Sequence, residues 1–394
     1  MKTKVGIIGG GPSGMLLGQI LSNHGIDNVV LEKQTKEYVL NRVRAGLIEE
    51  GTQMMLRDAG VGERMDREGL RQPGFYMAFD GRTIRVDCEE LTGGKATMVY
   101  GQADITHDLY AARTGVYVDK VENLQPHDLT TDTPYITFSK DEVDERLDCD
   151  FIAACDGYYG VGRKCIPDNI LKTEDITFPF KWLGILSKTK PIDKELVYAQ
   201  SPNGFALFSH RTPEISRTYL QCSATDNIEE WTDDRFWEEL RARLPYSLSS
   251  KLKMGPSIEK TLFTIRHFLA EPLQYGRIFL AGDAGHIVPP SAAKGLNLAM
   301  SDIYYLSNAL IEFYKDDTEV GLNGYSDRTL VRVKKAQNFS LWLTDVFHTY
   351  PGSGKNTDWA EDGTYDKKVE LLHELMSSRE TLKWLAENYV GLPY

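Results

Sequence analysis

The feature that most constrains this chain is a glycine-rich turn close to its N-terminus. Residues 4–14 read KVGIIGGGPSG, and Gly9, Gly11 and Gly14 have the G-x-G-x-x-G spacing. The apolar run before the glycines is typical of a buried strand, and the amphipathic stretch after them is typical of a helix. The pattern predicts a strand, a tight turn and a helix, packed with a close backbone approach at the glycines.

A second strand and an acidic residue complete this unit. Residues 29–31 are Val-Val-Leu, and Glu32 follows them directly. Gly25 precedes this strand, where a left-handed residue can end the helix. This order of elements, a strand, a turn, a helix, a second strand and an acidic residue within about 30 residues, indicates a dinucleotide-binding βαβ unit. In such a unit the acidic residue accepts hydrogen bonds from the ribose hydroxyls. We therefore expect the N-terminal part of the chain to bind an ADP-containing cofactor.

Composition excludes several other classes of protein. The chain has 394 residues, enough for two or three domains, and a net charge of −12, which argues against nucleic-acid or anionic-membrane binding. No apolar run is long enough to span a bilayer, and no signal peptide is visible. The five cysteines form no C-x-x-C pair and no zinc spacing, so we expect no metal site and a reducing, cytoplasmic location.

Two further stretches have the character of buried strands that end at polar turns. Residues 151–155 are apolar and lead into Asp156-Gly157, and residues 276–281 lead into Gly282-Asp283. After the second turn, the doubled proline at 289–290 precedes a predicted helix near residues 294–300. The free amides at the start of such a helix stabilise negative charge placed against them.

The middle of the chain predicts a separate sheet. Residues 75–86 predict a hairpin around Asp80-Gly81, and residues 182–222 have short β-type segments. A two-residue turn at Asn203-Gly204 would set Tyr198 opposite Ser209. That register puts four polar side chains on one face: Tyr198, Ser209, Arg211 and Tyr219. The alternative is an ordinary solvent-exposed polar face, and Pro202 weakens the pairing.

Helices are predicted over residues 45–58, 226–244 and 334–346, with a loop at 350–365. The chain ends in an aromatic stretch, residues 382–394, which we expect to pack on its own core or on another subunit.

Taken together, these signatures resemble the single-component flavoprotein aromatic hydroxylases. The likeness covers essentially the whole chain and includes RVRAG at 42–46, YGQ at 100–102, NGFAL at 203–207, HIVPP at 286–290 and KGLNL at 294–298. It implies an α/β (α+β) fold with a Rossmann-like FAD-binding domain, a mixed or antiparallel substrate-binding sheet and a helical C-terminal region. The implied boundaries are 1–70, 96–175 and 266–340 for the FAD-binding domain, 71–95 and 176–265 for the substrate-binding domain, and 341–394 for the C-terminal region.

The resemblance implies FAD as the bound cofactor and assigns it a set of residues. Glu32 and Ser13 contact the ribose and pyrophosphate, Gln102 contacts the flavin chain, and Asp283 accepts a ribityl hydroxyl. The full set of FAD residues is Gly9, Gly11, Ser13, Gly14, Glu32, Arg42, Val43, Arg44, Ala45, Gly46, Leu47, Gln102, Asp283, Leu296 and Asn297. The amides of Leu296 and Asn297 face the flavin region that becomes anionic on reduction.

The implied reaction is hydroxylation of 4-hydroxybenzoate to 3,4-dihydroxybenzoate with NAD(P)H and O₂, through a hydroperoxide formed on the flavin. Tyr198 and Tyr389 are the implied catalytic residues, holding the phenolic oxygen and passing on its proton. The implied substrate-binding residues are Tyr198, Ser209, His210, Arg211, Tyr219 and Pro290, with Arg211 paired to the carboxylate. Two anchors at opposite ends of a flat ring would fix the carbon that faces the flavin.

The chain departs from the family pattern at three positions. Gln72 replaces a histidine at the end of the proton chain, Tyr159 replaces a histidine near the nicotinamide donor, and Lys33 replaces an arginine. The implied donor residues are Lys33, Gln34, Tyr38, Arg42, Arg44 and Arg266. They favour NADPH, with NADH left open. The likeness also implies a homodimer. A different hydroxy- or aminobenzoate as substrate, and a flavin redox sensor without turnover, are the alternatives.

Overall fold

The fold is that of an α/β protein with two large sheets and a helical C-terminal part. A computed structural model describes residues 1–42, 46–350 and 364–394. Its strands are β1 (Val5–Ile8), β2 (Asn28–Leu31), β3 (Leu47–Ile48), β4 (Leu70–Gln72), β5 (Gly74–Phe79), β6 (Arg82–Asp87), β7 (Thr97–Val99), β8 (Val116–Val118), β9 (Glu122–His127), β10 (Tyr135–Lys140), β11 (Val143–Asp148), β12 (Phe151–Ala154), β13 (Lys172–Ser187), β14 (Leu196–Ser201), β15 (Gly204–Thr212), β16 (Ile215–Ser223), β17 (Ser257–Glu271), β18 (Gln274–Tyr275), β19 (Ile278–Leu280) and β20 (His286–Ile287).

Its α-helices are α1 (Pro12–Asn23), α2 (Lys36–Leu40), α3 (Glu50–Asp58), α4 (Glu63–Glu68), α5 (Cys88–Thr92), α6 (Gln102–Ala112), α7 (Asp233–Ala242), α8 (Tyr246–Ser249), α9 (Lys294–Asp316), α10 (Val320–Asn323), α11 (Tyr325–Phe347), α12 (Thr364–Ser377) and α13 (Arg379–Val390). Within the part of the chain that the structure describes, no helix has the length and apolarity needed to cross a membrane.

The first sheet confirms the predicted βαβ unit. Its six strands lie in the order β18-β19-β12-β1-β2-β8. Strands β1 and β2 are parallel and joined by α1, and β12 pairs in parallel with the other side of β1. All four residues of β1, β2 and β12 are buried, as expected for strands covered on both faces. Because parallel strands end at one edge, the turns after β1, β2, β12 and β19 meet there.

The second sheet has eight strands in the order β20-β17-β13-β16-β15-β14-β5-β6. The predicted hairpin at Asp80-Gly81 is confirmed, since β5 and β6 pair from Phe79↔Arg82 outward. Strand β14 joins β5 in parallel and β15 in antiparallel orientation. Two small three-stranded sheets complete the fold, β11-β10-β9 and β3-β7-β4.

The predicted register of the β14–β15 hairpin was wrong by two positions. The turn is Pro202-Asn203, with Ser201 paired to Gly204, so Tyr198 lies opposite Leu207 instead of Ser209. A turn at Asn203-Gly204 would have put Pro202 in the ladder, where it has no N–H to donate. Side chains alternate with a period of two, so a shift of two positions keeps Tyr198, Ser209 and Tyr219 on their predicted face. The β15–β16 register shifts between His210 and Thr212, so alternation alone does not fix the face of Arg211.

Two helix predictions also need correction. Residues 45–58 are not one helix: Leu47 and Ile48 form strand β3, and α3 begins at Glu50. Residues 226–244 contain a 3₁₀ turn at Ile228–Glu230 before α7 begins at Asp233, which Thr232 caps by accepting the amide of Arg235. The helix predicted over 334–346 is confirmed inside α11. Most of the predicted loop at 350–365 lies outside the described residues.

The aromatic C-terminus packs on the chain's own core. The Tyr394 ring lies over Gly51 and beside Tyr304, and its hydroxyl lies 3.4 Å from the hydroxyl of Thr52. A buried charge cluster fixes this end of the chain: Glu49 contacts Lys294 at 2.5 Å and Arg332 at 3.1 Å, and Arg332 donates to the carbonyl of Leu392. The C-terminal helices therefore close one face of the eight-stranded sheet.

Candidate active site

The cofactor cradle lies at the edge where the parallel strands end. Gly9 has a φ of +108°, and a Cβ there would lie 2.3 Å from the carbonyl of Cys155 after β12. A Cβ on Gly14 would lie 2.0 Å from the carbonyl of Gly9, so α1 packs directly on the turn. Gly11, by contrast, faces open space, and no side chain caps the amides at the start of α1. This arrangement fits a pyrophosphate placed against a free helix N-terminus.

Glu32 lies at the end of β2 with its side chain turned back toward the turn. Its two oxygens accept the amides of Gly10 at 2.6 Å and Gln34 at 2.8 Å. The carboxylate is buried, and each oxygen keeps a further lone pair for a ribose hydroxyl. These two hydrogen bonds from backbone amides fix the orientation of the carboxylate at the sheet edge.

The third part of the cradle comes from residues 282–297. Ser13 and the 3₁₀ turn that contains Asp283 are adjacent, since a Cβ on Gly282 would lie 3.3 Å from the Ser13 hydroxyl. Among the residues that the structure describes, no side chain caps the start of helix α9, so its first amides are not taken up by a cap. The side chain of Asn297 is fully used: it contacts the backbone of Leu47, Glu49 and Ala293 and the hydroxyl of Thr52 at 2.9 Å each. The side chain therefore has no group left for a ligand.

Other residues predicted to bind FAD are spread around this cradle. Gly46 packs on Tyr100, whose carbonyl a Cβ at residue 46 would meet at 1.9 Å. Gln102 begins α6, and Arg42 is exposed. Val43, Arg44 and Ala45 lie outside the described residues. Together the glycine turn, the Glu32 carboxylate and the α9 N-terminus fit FAD.

The two predicted catalytic tyrosines meet in the interior. The hydroxyl oxygens of Tyr198 and Tyr389 lie 3.2 Å apart, and the two side chains are 1% and 2% exposed. Phe75 holds both rings, stacked on Tyr389 at 4.1 Å and edge-on to Tyr198 at 5.6 Å. Burial raises the pKa of both phenols, so both are protonated at neutral pH.

This phenolic pair lies next to the start of α9. Ala292, two residues before that helix, packs in the same apolar cluster as Tyr198, Tyr219 and Tyr389. The ammonium group of Lys294 donates to the carbonyl of Tyr389 at 3.1 Å. The phenols therefore adjoin the helix end that fits the flavin ring.

The opposite end of the sheet face carries the predicted carboxylate anchors. The Arg211 guanidinium interacts with the hydroxyl of Tyr219, and the Ser209 hydroxyl donates to the carbonyl of Arg217 at 2.8 Å. Burial lowers the pKa of Arg211. Among residues 1–42, 46–350 and 364–394, no carboxylate lies within ion-pair distance of Arg211. Such an unpaired, partly buried cation is suited to a ligand carboxylate.

Sequence reasoning missed Arg217, which supports this anchor. Arg217 is buried and donates to Tyr219 at 3.2 Å, to Glu259 at 3.0 Å and to Thr261 at 2.9 Å. Its charge is thus paired within the protein, and it orients the Tyr219 hydroxyl. Alternation in β16 places Arg217 and Tyr219 on one face. Glu259 and Thr261 come near only because β17 lies on the far side of β13, two strands away from β16.

His210 and Gln72 form a separate contact. The amide nitrogen of Gln72 lies 3.3 Å from Nε2 of His210 and donates to the carbonyl of Lys194 at 3.2 Å. Both side chains are buried, and burial lowers the pKa of His210. His210, predicted to bind substrate, therefore has its ring against Gln72, whereas Ser209 and Arg211 face the tyrosines. Pro290 begins the 3₁₀ turn that leads into α9.

The predicted donor residues lie in two places. Lys33, Gln34, Tyr38 and Arg42 flank or form α2, next to Glu32. Arg266 lies on β17, where it pairs with Asp175 at 3.0 Å and covers the ring of Tyr158 at 4.4 Å. Tyr159 is 78% exposed beside Tyr158. No cluster of potential metal ligands occurs in the described parts of the chain.

Comparisons with known proteins agree with this geometry. A family profile described as "FAD binding domain" matches residues 2–340. The p-hydroxybenzoate hydroxylase of Acinetobacter baylyi is 45% identical over 399 residues, covering 100% of this chain and 96% of that protein. A probable NADH-specific resorcinol 4-hydroxylase of Rhodococcus jostii is 24% identical and covers 76% of this chain and 57% of its own length. The crystal structure of p-nitrophenol 4-monooxygenase from Pseudomonas putida has a TM-score of 0.82, 18% identity and full coverage of both chains.

The fold and the cradle define an FAD-dependent flavoprotein. More narrowly, the chain belongs to the family of single-component FAD-dependent aromatic hydroxylases. It is an oxidoreductase of the monooxygenase type, with FAD as its cofactor and NAD(P)H as its reductant.

Proposed function

We propose that this enzyme hydroxylates 4-hydroxybenzoate at the carbon beside the phenolic group, giving 3,4-dihydroxybenzoate. The reaction consumes one O₂, one NAD(P)H and one proton and releases water and NAD(P)⁺. The relative that is 45% identical carries the name p-hydroxybenzoate hydroxylase. The observation that carries the proposal is the sheet face on which Arg211, with no carboxylate of the described residues within ion-pair distance, accompanies the buried Tyr198–Tyr389 pair. A ring with a carboxylate and a phenol at opposite ends matches both anchors.

In this proposal the substrate carboxylate binds Arg211 and the hydroxyls of Ser209 and Tyr219. Arg217 holds Tyr219 in place, as its 3.2 Å contact allows. The carboxylate thus pairs with a guanidinium that has no carboxylate of the described residues within ion-pair distance, and a charge-assisted bond of this kind is stronger than one between neutral groups. The anchor fixes the ring along its long axis.

The phenolic end binds Tyr198. When it is bound, FAD accepts two electrons from NAD(P)H and activates O₂. Attack on the ring needs electron density, which a phenolate has in excess over a phenol. Tyr198 donates to the substrate oxygen and stabilises its anionic form, and the 3.2 Å contact with Tyr389 gives the displaced proton a route away. Pro290 and the first turn of α9 close this end of the pocket.

We also propose the roles of the cofactor residues. Ser13 and the amides after Gly11 bind the pyrophosphate, Glu32 the ribose, Asp283 the ribityl chain, and Leu296 and Asn297 the flavin ring through their amides. The exposed Lys33, beside Glu32, supports NADPH as the preferred donor. The predicted domain boundaries are also a proposal. All six strands of the first sheet fall within the FAD-domain ranges, and β5, β6, β14, β15 and β16 fall within the substrate-domain ranges, whereas β13 and β17 cross a boundary and β20 joins the second sheet from residues 266–340.

We also propose how the protein assembles and where in the cell it is located. A homodimer is supported by the apolar surface around Trp384, which is 42% exposed and packs on Trp342 at 5.2 Å. Light scattering on the purified protein tests it. A cytoplasmic location is supported by five free cysteines, which a reducing compartment preserves. Fractionation of the producing cells tests that location.

One experiment tests the activity. The FAD-loaded enzyme is mixed with NADPH or NADH, with and without 4-hydroxybenzoate, and NAD(P)H loss, hydrogen peroxide and aromatic products are measured together. We expect 4-hydroxybenzoate to accelerate NAD(P)H oxidation and 3,4-dihydroxybenzoate to account for most of it. Oxidation that yields only hydrogen peroxide would contradict the proposal. Faster hydroxylation of 4-aminobenzoate or 3-hydroxybenzoate in a substrate panel would replace the substrate but keep the reaction.

A further inference from the structure

A buried ion pair outside the substrate-binding sheet face, Asp302 with His286, joins two parts of the FAD cradle. Asp302 lies within α9, is 0% exposed, and its Oδ2 atom accepts two bonds of 2.7 Å. One comes from the amide of Gly282 and the other from Nε2 of His286, which is 2% exposed. Burial opposes protonation of His286, but the Asp302 carboxylate raises its pKa, which favours the imidazolium form.

The two bonds bracket a single residue of interest. Gly282 precedes Asp283, and His286 follows it by three positions, so one carboxylate holds the turn from both sides. The turn also packs closely against α9. Gly282 has a φ of +65°, and a Cβ there would lie 3.2 Å from the Cβ of Ala299. The backbone that carries Asp283 is thus fixed to α9.

The same helix also supplies the other contact surface for the flavin. Its N-terminus lies at Lys294, and Asp302 follows Lys294 by eight residues, about 12 Å along the helix axis. Helix α9 therefore carries both the amides assigned to the flavin ring and the carboxylate that holds the ribityl-binding turn. A displacement of one relative to the other would misplace the two halves of the cofactor.

We propose that Asp302 is a positioning residue for FAD: through the amide of Gly282 it sets Asp283 at a fixed distance from the N-terminus of α9. The proposal rests on the assignment of Asp283 to the ribityl chain. It is independent of the aromatic substrate, because it concerns cofactor binding alone. The competing explanation is that the Asp302–His286 pair only stabilises the fold, as buried ion pairs can.

The test separates FAD release from unfolding in the holoenzyme. Flavin fluorescence reports release and far-UV circular dichroism reports unfolding during the same heating series, and dilution of the holoenzyme gives the FAD dissociation constant. For Asp302→Leu, which removes the acceptor for Gly282, we expect FAD release about 5 °C or more below unfolding. The FAD dissociation constant should rise at least about tenfold, which corresponds to about 1.4 kcal/mol.

Three further variants distinguish positioning from stability. His286→Gln leaves Asp302 bonded to Gly282, so it should lower the unfolding temperature while the FAD dissociation constant stays within about threefold of wild type. Asp302→Asn keeps an oxygen acceptor for the same amide, so its FAD dissociation constant should lie between those of His286→Gln and Asp302→Leu. This variant keeps the test decisive if Asp302→Leu does not fold. Asn28→Ala is the matched control, because Asn28 is a buried side chain that donates to the carbonyls of Gly18 and Ile26, away from the cradle. A dissociation constant that follows the unfolding temperature across all four variants would overturn the proposal.

Discussion

The hydroxyl oxygens of Tyr198 and Tyr389 lie 3.2 Å apart although 191 positions separate them in the chain. Tyr198 comes from β14 of the eight-stranded sheet and Tyr389 from the last helix, α13. The contact exists because the C-terminal helices fold back over that sheet and are held there by Glu49, Lys294 and Arg332. The contact between the two phenols therefore depends on the packing of the C-terminal helices against the eight-stranded sheet.

The first prediction concerns the Tyr198 hydroxyl. Tyr198→Phe keeps the ring but removes the group that stabilises the substrate phenolate, so substrate should still bind while hydroxylation fails. We expect the yield of 3,4-dihydroxybenzoate per NAD(P)H to fall by roughly 10- to 100-fold, with hydrogen peroxide making up the difference. Product chromatography and a peroxide assay measure both quantities. Tyr76→Phe, on the other face of the neighbouring strand β5, is the control and should leave the yield unchanged. Normal yield in Tyr198→Phe would remove Tyr198 from the proton route.

The second prediction concerns Arg211. Arg211→Met removes the cation that pairs with the substrate carboxylate and should weaken 4-hydroxybenzoate binding by about 3 kcal/mol, or roughly 100-fold. Binding is measured by the change in flavin absorbance on titration with the substrate. A substrate analogue without the carboxylate, 4-methylphenol, should bind wild type and variant alike. Equal losses for both ligands would show that the substitution disturbs the pocket as a whole and that Arg211 is not the specific anchor.

The third prediction concerns the buried charges behind the C-terminus. Glu49→Leu leaves Lys294 and Arg332 buried without their counter-ion, and breaking a buried pair in this way costs about 3–5 kcal/mol. Burial already lowers the pKa of Lys294. The free energy of unfolding should therefore fall by that amount in urea titrations at fixed FAD concentration. Arg57→Ala is the control: its pair with Asp66 is exposed, and its loss should change stability by less than about 1 kcal/mol. Similar losses in the two variants would contradict a special role for the buried cluster.

The βαβ unit could be predicted from sequence because its signals are local. The signals lie close together in the sequence: the first strand, Gly9, Gly14 and Glu32 all fall within residues 5–32. Each has a steric or hydrogen-bonding reason for its position. The face shared by Tyr198 and Tyr219 was also predictable, because alternation along a strand tolerates the two-residue error in register. That error arose at Pro202, whose missing N–H excludes it from the ladder and places it in the turn.

The residues that support the site could not be predicted in the same way. Arg217 is compensated by Glu259, Asn297 bonds to Leu47 and Thr52, and Asp302 reaches back to Gly282. Each contact crosses between elements that are distant in sequence, and no local pattern distinguishes these side chains from polar residues on a surface. The burial of their charges is visible only once the sheets and α9 are in place.

The last prediction concerns the pH dependence of stability and rests on His348. This side chain is 0% exposed, donates from Nδ1 to the carbonyl of Thr344 at 2.7 Å and accepts at Nε2 from the indole of Trp182 at 2.7 Å. Burial lowers its pKa to about 3. Because the unfolded chain, with a pKa near 6.5, binds the proton first, the stabilisation is present above pH 6.5 and is lost as the pH falls toward 3. Between pH 7.5 and pH 5 the loss from this group should be roughly 2 kcal/mol. Urea unfolding of wild type and His348→Gln at both pH values isolates it, since the stability advantage of wild type should shrink by that amount. His107→Gln, at an exposed position, should show the wild-type pH dependence, and a wild-type advantage that stays constant with pH would show that His348 does not stay neutral in the folded protein.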